Sequence, residues 1–196
     1  MEGTYCDPVT NNCWTPILID VEGNGFKMTS VDNGVRFDGF GHGVKIDTAW
    51  TETNSDDAWL VLDRNGNGAI DDGTELFSSA APQPMKPPPD LRHGFNALVQ
   101  YDKQQFGGNA DGVLDAHDSI FSALRLWQDS NHNGVSESLE LITLESQGLR
   151  SISMNYRLSK RKDQHGNAFR YRAVVKDSRG AQLGRWAYDV YPVARP

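Results

Sequence analysis

The chain has 196 residues, 38% of them hydrophobic, and a formal net charge of -7, which suits one well-buried core or at most two small ones. No apolar run approaches the ~18 residues that a membrane-spanning helix needs, so no membrane insertion is expected. The five histidines are scattered and the two cysteines stand alone, which leaves no zinc-type spacing.

The N-terminal stretch MEGTYCDPVTNNCW lacks the basic-then-apolar layout of a signal peptide, so any export signal is expected upstream of Met1. Cys6 and Cys13 can close a small loop in an oxidising compartment, and a disulfide and two free thiols both remain open readings. Residues 1–14 are read as a tail and residues 15–196 as a single domain, expected to be monomeric.

Short strands are expected in ILIDV, VRFDG, VKIDTAW and AWLVLD, where apolar and polar residues alternate. Between them a device repeats: an acidic residue, then Asn, Asp or Gly in alternation, then Gly before an aliphatic residue. Its copies are DVEGNGF from Asp20, DGFGHGV from Asp38, DRNGNGAIDDGTE from Asp63, GGNADGVLDAHD from Gly107 and DSNHNGVSESLE from Asp129. Such a recurrence exceeds ordinary turn chemistry. It is the spacing of a calcium loop, in which positions 1, 3 and 5 offer side-chain oxygens, position 6 is the pivoting Gly, position 7 offers a backbone carbonyl and position 12 a carboxylate.

The copy at Asp129 fills every required place with Asp129, Asn131, Asn133, Gly134, Val135 and Glu140. Position 8, normally an apolar docking residue, is Ser136, and Val135 is expected to take over the docking. In the copy at Asp63, Asn65, Asn67, Gly68 and the Ala69 carbonyl follow in register, while the closing acid, Glu75, arrives one place late; Asp71 or Asp72 can supply further oxygen. The third copy places Asn109, Asp111, Val113 and Asp118 in register, with the first carboxylate drawn from Asp102 across an inserted KQQFG. Asp20, Glu22 and Asn24 form a weaker candidate between two strands. Asp38 is expected to sit in an empty turn, because Phe40 and His42 replace oxygen donors. Two to four calcium ions are expected in all.

TELF is read as a helical turn, and APQPMKPPPD as a loop that can be neither helix nor central strand. A helix is expected over LRHGFNALVQY with Asp90 as N-cap, and another through AHDSIFSALRLWQD serving as exit helix of one loop and entry helix of the next. Beyond Gly148, a plausible C-cap, RSISMNYRL, FRYRAVVKD and QLGRWAYDVY read as antiparallel strands. This tail is basic, carrying Arg157, Lys160, Arg161, Lys162, Arg170, Arg172, Lys176, Arg179 and Arg185, cations that can face the acidic half of the domain or an anionic polymer. The expected fold class is α+β: short N-terminal strands, EF-hand-like calcium loops with two or three short helices, and a C-terminal antiparallel β tail.

In TPILIDVEGNGF, WLVLDRNGNG, TELF, GFNALVQYD, ADGVLDAHDSIF and LRLWQDSNHNGVSESLEL the chain resembles the calcium-dependent self-processing modules of iron-regulated RTX-like bacterial proteins, over about Thr15 to Ile152. Its β tail resembles that of secreted or surface-associated bacterial calcium-loop domains. The resemblance implies calcium-driven folding, a secreted or cell-surface location, and neighbouring domains of a larger surface protein as partners. In self-processing members it also implies an Asp that attacks its own carbonyl, expels Pro and leaves an anhydride for a lysine amine. Here Thr15 precedes Pro16 at that position, and a hydroxyl cannot form the anhydride. The remaining Asp-Pro pair, Asp7 and Pro8, lies off register. The reading is therefore a calcium-stabilised module without intrinsic catalysis. Alternatives are Asp-Pro autocleavage with isopeptide ligation, and adhesion through the basic β surface; nucleic acid is not the expected partner.

Overall fold

The computed structural model describes Cys6, residues 13–83 and residues 92–196. Asp7, Pro8, the proposed N-cap Asp90 and most of the proline-rich stretch lie outside the described residues. Among the described residues there are twelve strands and one α-helix. The strands are β1 (Ile17–Ile19), β2 (Val35–Phe37), β3 (Ile46–Thr48), β4 (Ala58–Val61), β5 (Val113–Asp115) and β6 (Arg125–Trp127). They continue as β7 (Leu141–Thr143), β8 (Leu149–Ser153), β9 (Arg157–Lys162), β10 (Ala168–Asp177), β11 (Trp186–Tyr191) and β12 (Ala194–Arg195). The helix α1 spans Gly94–Leu98 and is capped by His93, whose Nδ1 accepts the Asn96 N–H at 3.2 Å.

Nine strands form one antiparallel sheet in the order β5-β8-β10-β11-β1-β4-β6-β7, with β9 paired to β10, and β12-β3-β2 form a second, smaller sheet. The predicted tail is thus not an appendage: β11 pairs with the N-terminal β1 through Leu18 opposite Tyr188, which seals the two ends of the chain into the centre of the sheet. Both faces of that centre are buried. One face carries Ile17, Ile19, Leu60, Leu126 and Ala187 against Phe95, Leu98 and Phe121. The other carries Leu18, Trp59, Trp127 and Tyr188 against Phe37 and Trp50 from the small sheet. Here Trp50 is the hub, with ring centroids 4.8 Å from Trp59, 5.1 Å from Phe37 and 5.4 Å from Trp127.

This burial explains where the α+β expectation fails. The stretch through AHDSIFSALRLWQD is no helix: a short 3-10 turn, Phe121–Ala123, delivers the chain into β6. Leu126 and Trp127 are adjacent, and both are fully buried, because the strand is covered on both sides. A strand buried on two faces loses its period-two signal and reads as a continuous apolar run that helix spacing also fits. TELF is likewise not helical; Leu76 bridges Val61. The N-terminal helix shrinks to α1 and a following 3-10 turn, Val99–Asp102. Among the described residues the protein is mostly β, with no helix–loop–helix frame around the loops.

Candidate metal centres

The loops at Asp20, Asp63 and Asp129 serve as strand connections, while the loop at Asp102 leaves the 3-10 turn after α1 and runs into β5. The loop at Asp129 joins β6 to β7, which pair with Trp127 opposite Leu141. The loop at Asp63 joins β4 to the bridging Leu76. In each copy the first Asp turns its carboxylate back onto the backbone: one oxygen accepts N–H groups near the middle of the loop, and the other accepts the N–H of the pivoting Gly. These glycines, Gly25, Gly43, Gly68, Gly112 and Gly134, all have positive φ between 68° and 101°, the left-handed region where a side chain is disfavoured.

In the loop at Asp129, Oδ1 accepts Asn133 N at 3.0 Å and Oδ2 accepts Gly134 N at 2.8 Å. Asn133 Oδ1 accepts Val135 N at 2.7 Å, and its amide donates to Glu137 Oε1 at 2.8 Å. Glu140 closes the ring, its Oε1 accepting from Ser130 N at 2.9 Å and Ser130 Oγ at 3.0 Å. Burial, followed by contact with the Glu137 carboxylate, pushes the Glu140 carboxyl above the usual range. Glu137 shifts the opposite way, held below its usual range first by the Asn133 amide and then by Glu140, so the buried Glu140 carboxyl is the member of the pair whose charge a cation would favour. Asn131 occupies its loop position between Ser130 and His132. Val135 does not dock the loop, being half exposed. Ser136 does: its Oγ accepts Ile70 N at 2.6 Å, so position 8 of one loop is tied to position 8 of the other.

The loop at Asp63 repeats the pattern, with Gly66 N at 2.7 Å from Oδ1 and Gly68 N at 2.8 Å from Oδ2. Asn67 Oδ1 accepts Ala69 N at 2.8 Å. Glu75, one place late in sequence, still folds back, with Oε1 accepting Arg64 N at 2.9 Å and Oε2 accepting Asp71 N at 2.9 Å. Of the two further acids, Asp71 turns inward to the amides of Asn65 and Asn67 at 2.8 and 2.7 Å. Asp72 turns away to Thr74.

Across the insertion, Asp102 does supply the first carboxylate of the third loop, its Oδ1 accepting Asp111 N at 3.2 Å and Oδ2 accepting Gly112 N at 3.1 Å. Asp111 Oδ1 accepts Val113 N at 2.9 Å, and the Asn109 amide donates to Asp111 Oδ2 at 2.9 Å. Asp118 closes this loop onto Asn109 N and Asp115 N; burial pushes its carboxyl above the usual range.

The loop at Asp20 contains what the sequence did not disclose. Asp20 accepts Gly23 N at 2.7 Å and Gly25 N at 2.8 Å, while the Asn24 amide donates to Glu22 and Asp56 at 3.2 and 2.9 Å. Asp56 and Asp57, from the turn before β4, converge on Asp20 with candidate ligand oxygens all within 4.8 Å of one another. Asp57 is 1% exposed, its Oδ1 has no hydrogen-bond partner, and burial pushes its carboxyl up to about 7. The adjacent acids of NSDDAW were the only signal, and nothing local links them to Asp20, more than 30 residues away. Asp38 accepts Phe40, Gly41, His42 and Gly43 N–H groups.

The donor set in these loops is carboxylate, amide and backbone oxygen, which suits a hard divalent cation and not a thiolate- or imidazole-seeking metal. The residues fit calcium: the buried, unpartnered Asp57 oxygen and the buried Glu140 carboxylate are positions where an ion would replace an unfavourable interaction.

The fold and loops define a mostly β module whose strand connections are acidic, glycine-pivoted and rich in oxygen donors. The SPM domain family matches residues 17–190, and the chain belongs to that family. It is 35% identical over 146 residues to the iron-regulated protein FrpA of Neisseria meningitidis serogroup C, across 74% of this chain and 12% of that protein. The chain therefore spans only a small part of the length of this relative.

Proposed function

We propose that this chain is a calcium-binding, calcium-stabilised module of a secreted or surface bacterial protein and carries no catalysis of its own. The observation that supports it best is the convergence of Asp20, Asp56 and Asp57, with the buried Asp57 oxygen left without a partner. Asp129 with Asn131, Asn133 and Glu140, Asp63 with Asn65, Asn67 and Glu75, and Asp102 with Asn109, Asp111 and Asp118 would hold further ions. The ions supply charge neutralisation and cross-linking of loops to strands. Ligand sets rich in Asn point to the weak affinities of extracellular modules, ~10^-4 to 10^-3 M per site.

Absence of autocleavage at the Thr15–Pro16 bond is supported by the residue itself. Thr15 is fully buried, its N–H donates to Ser79 Oγ at 3.2 Å, and Pro16 O accepts Val190 N at 2.9 Å. This junction is held in the sheet without a carboxyl that could attack its own carbonyl.

The test is a calcium titration followed by melting and intact mass. An ion that binds only the folded state raises stability by RT ln(1 + [L]/Kd), so millimolar calcium raises the melting temperature and EDTA reverses it, while the mass stays constant. Melting that ignores calcium defeats the metal reading; loss of an N-terminal fragment or a water-loss adduct between chains defeats the non-catalytic one.

A further inference from the structure

Several cations of the chain's C-terminal half are held by its own packing. Arg161 lies over the rings of Phe26, Phe169 and Tyr188 at 5.2, 4.9 and 5.9 Å, and Arg170 donates to Tyr191. Arg150 pairs with Glu145, and Arg195 with Asp32 and Asp47. These are committed to the protein's own packing. Arg157, Arg172 and Lys176 are exposed, and among the described residues no carboxylate lies within ion-pair distance of them.

The register of the sheet brings these three together. Arg172 and Arg157 are directly opposed on β10 and β9, and Lys176 is opposed to Ser151 on β8. Arg172, Val174 and Lys176 follow one another on a single face with the strand's period of two. Farther along the sheet, at Leu18, Trp59 and Trp127, that face is buried under the small sheet. At β8, β9 and β10 it is open. The opening is a groove of about 320 Å³ lined by Ser153, Asn155, Arg157, Arg172, Val174 and Trp186. It adjoins a second hollow of about 250 Å³ that shares Ser153 and Val174 and ends at Ser151 and Lys176. The Arg172 guanidinium is held 4.6 Å over the Trp186 ring.

Like charges directly opposed across two strands destabilise the pair, and an anion seated between Arg157 and Arg172 would reverse the sign of that interaction. A guanidinium fork suits a carboxylate or sulfate. The intervening hydroxyls and amide of Ser151, Ser153 and Asn155 suit the hydroxyl groups of a sugar. Single-stranded nucleic acid is fitted less well, because it needs exposed aromatic platforms for base stacking, and Trp186 is half-buried and covered by Arg172. We propose that this groove is a binding site for an acidic polysaccharide, with Arg157, Arg172 and Lys176 receiving its anionic groups. The second hollow is also lined by Val113 of the loop at Asp102, so that end of the site borders one candidate metal loop, while the groove between Arg157 and Arg172 is lined by none of the candidate ligands.

The test uses the whole chain in constant calcium, with polygalacturonate oligosaccharides and dextran sulfate as carboxylate and sulfate probes, neutral dextran as control, and a single-stranded oligonucleotide of matched charge as competitor. At least one acidic glycan should bind, weakening as salt rises, and neutral dextran should not. The double variant Arg157→Glu with Arg172→Glu should lose about tenfold or more in affinity while remaining folded, with at most a small fall in melting from the lost Arg172–Trp186 contact; Lys176→Glu provides a milder second variant that leaves that contact intact and melting unchanged. Arg170→Glu, by contrast, should act on stability, since Arg170 is bound to Tyr191. No binding of either acidic glycan, binding indifferent to both the double variant and Lys176→Glu, or equal or tighter binding of the oligonucleotide overturns the proposal.

Discussion

Trp127 Nε1 lies 3.4 Å from Glu140 Oε2, which joins the closing acid of the loop at Asp129 to the aromatic core. If an ion draws the Glu140 carboxylate inward, the indole must respond. Intrinsic tryptophan fluorescence should therefore change with calcium, and Glu140→Gln should weaken that phase about tenfold or more while leaving ions elsewhere bound. A calorimetric titration beside the fluorescence titration checks this.

Asp57→Asn separates ion binding from packing. Its Oδ2 accepts the Lys27 N–H at 2.7 Å and the Ser55 hydroxyl at 2.7 Å, and an amide oxygen can accept both. The variant should melt no lower than the parent in EDTA, because a buried charge has been removed, and should gain less on adding calcium. One equivalent fewer in calorimetry is the accompanying result.

Asp189 predicts the pH dependence. It is fully buried opposite Ile17, and its Oδ1 accepts Gly94 N at 2.7 Å. Burial pushes its carboxyl from 3.8 to about 8, against the smaller opposing pulls of the Gly94 N–H, the Thr15 hydroxyl and Arg170. The folded state thus holds a proton that the unfolded state releases. This contribution to stability is complete below about 3.8 and is lost as pH rises through about 8. Asp189→Asn should flatten that decline, matching the parent only near pH 3.8 and below and melting increasingly higher than it as pH rises toward about 8, as read by thermal melts across pH.

Gly73→Ala should destabilise by about 1–3 kcal/mol. A Cβ there would meet Gly39 O at 1.9 Å and Trp14 Nε1 at 2.7 Å, and the Gly73 N–H also donates to Asp38 O at 2.8 Å. The clash falls between two loops and the aromatic core, so denaturant melts should register it even in saturating calcium.

The sequence alone determined the loops, because a carboxylate, spaced amide oxygens and a pivoting glycine are local chemistry: the backbone of the loop at Asp129 closes on its own side chains, and even the displaced Glu75 and the borrowed Asp102 were readable from spacing. It also disclosed the family and the strands beyond Gly148. Tertiary structure alone decided what frames those loops and which distant groups join them. Leu126 and Trp127 read as helix because burial on both faces removes alternation. Asp56 and Asp57 meet Asp20 because β1 pairs with β4, and Arg157 faces Arg172 because β9 registers with β10. Contacts of that kind depend on pairing between distant segments, and spacing along a chain carries no record of them.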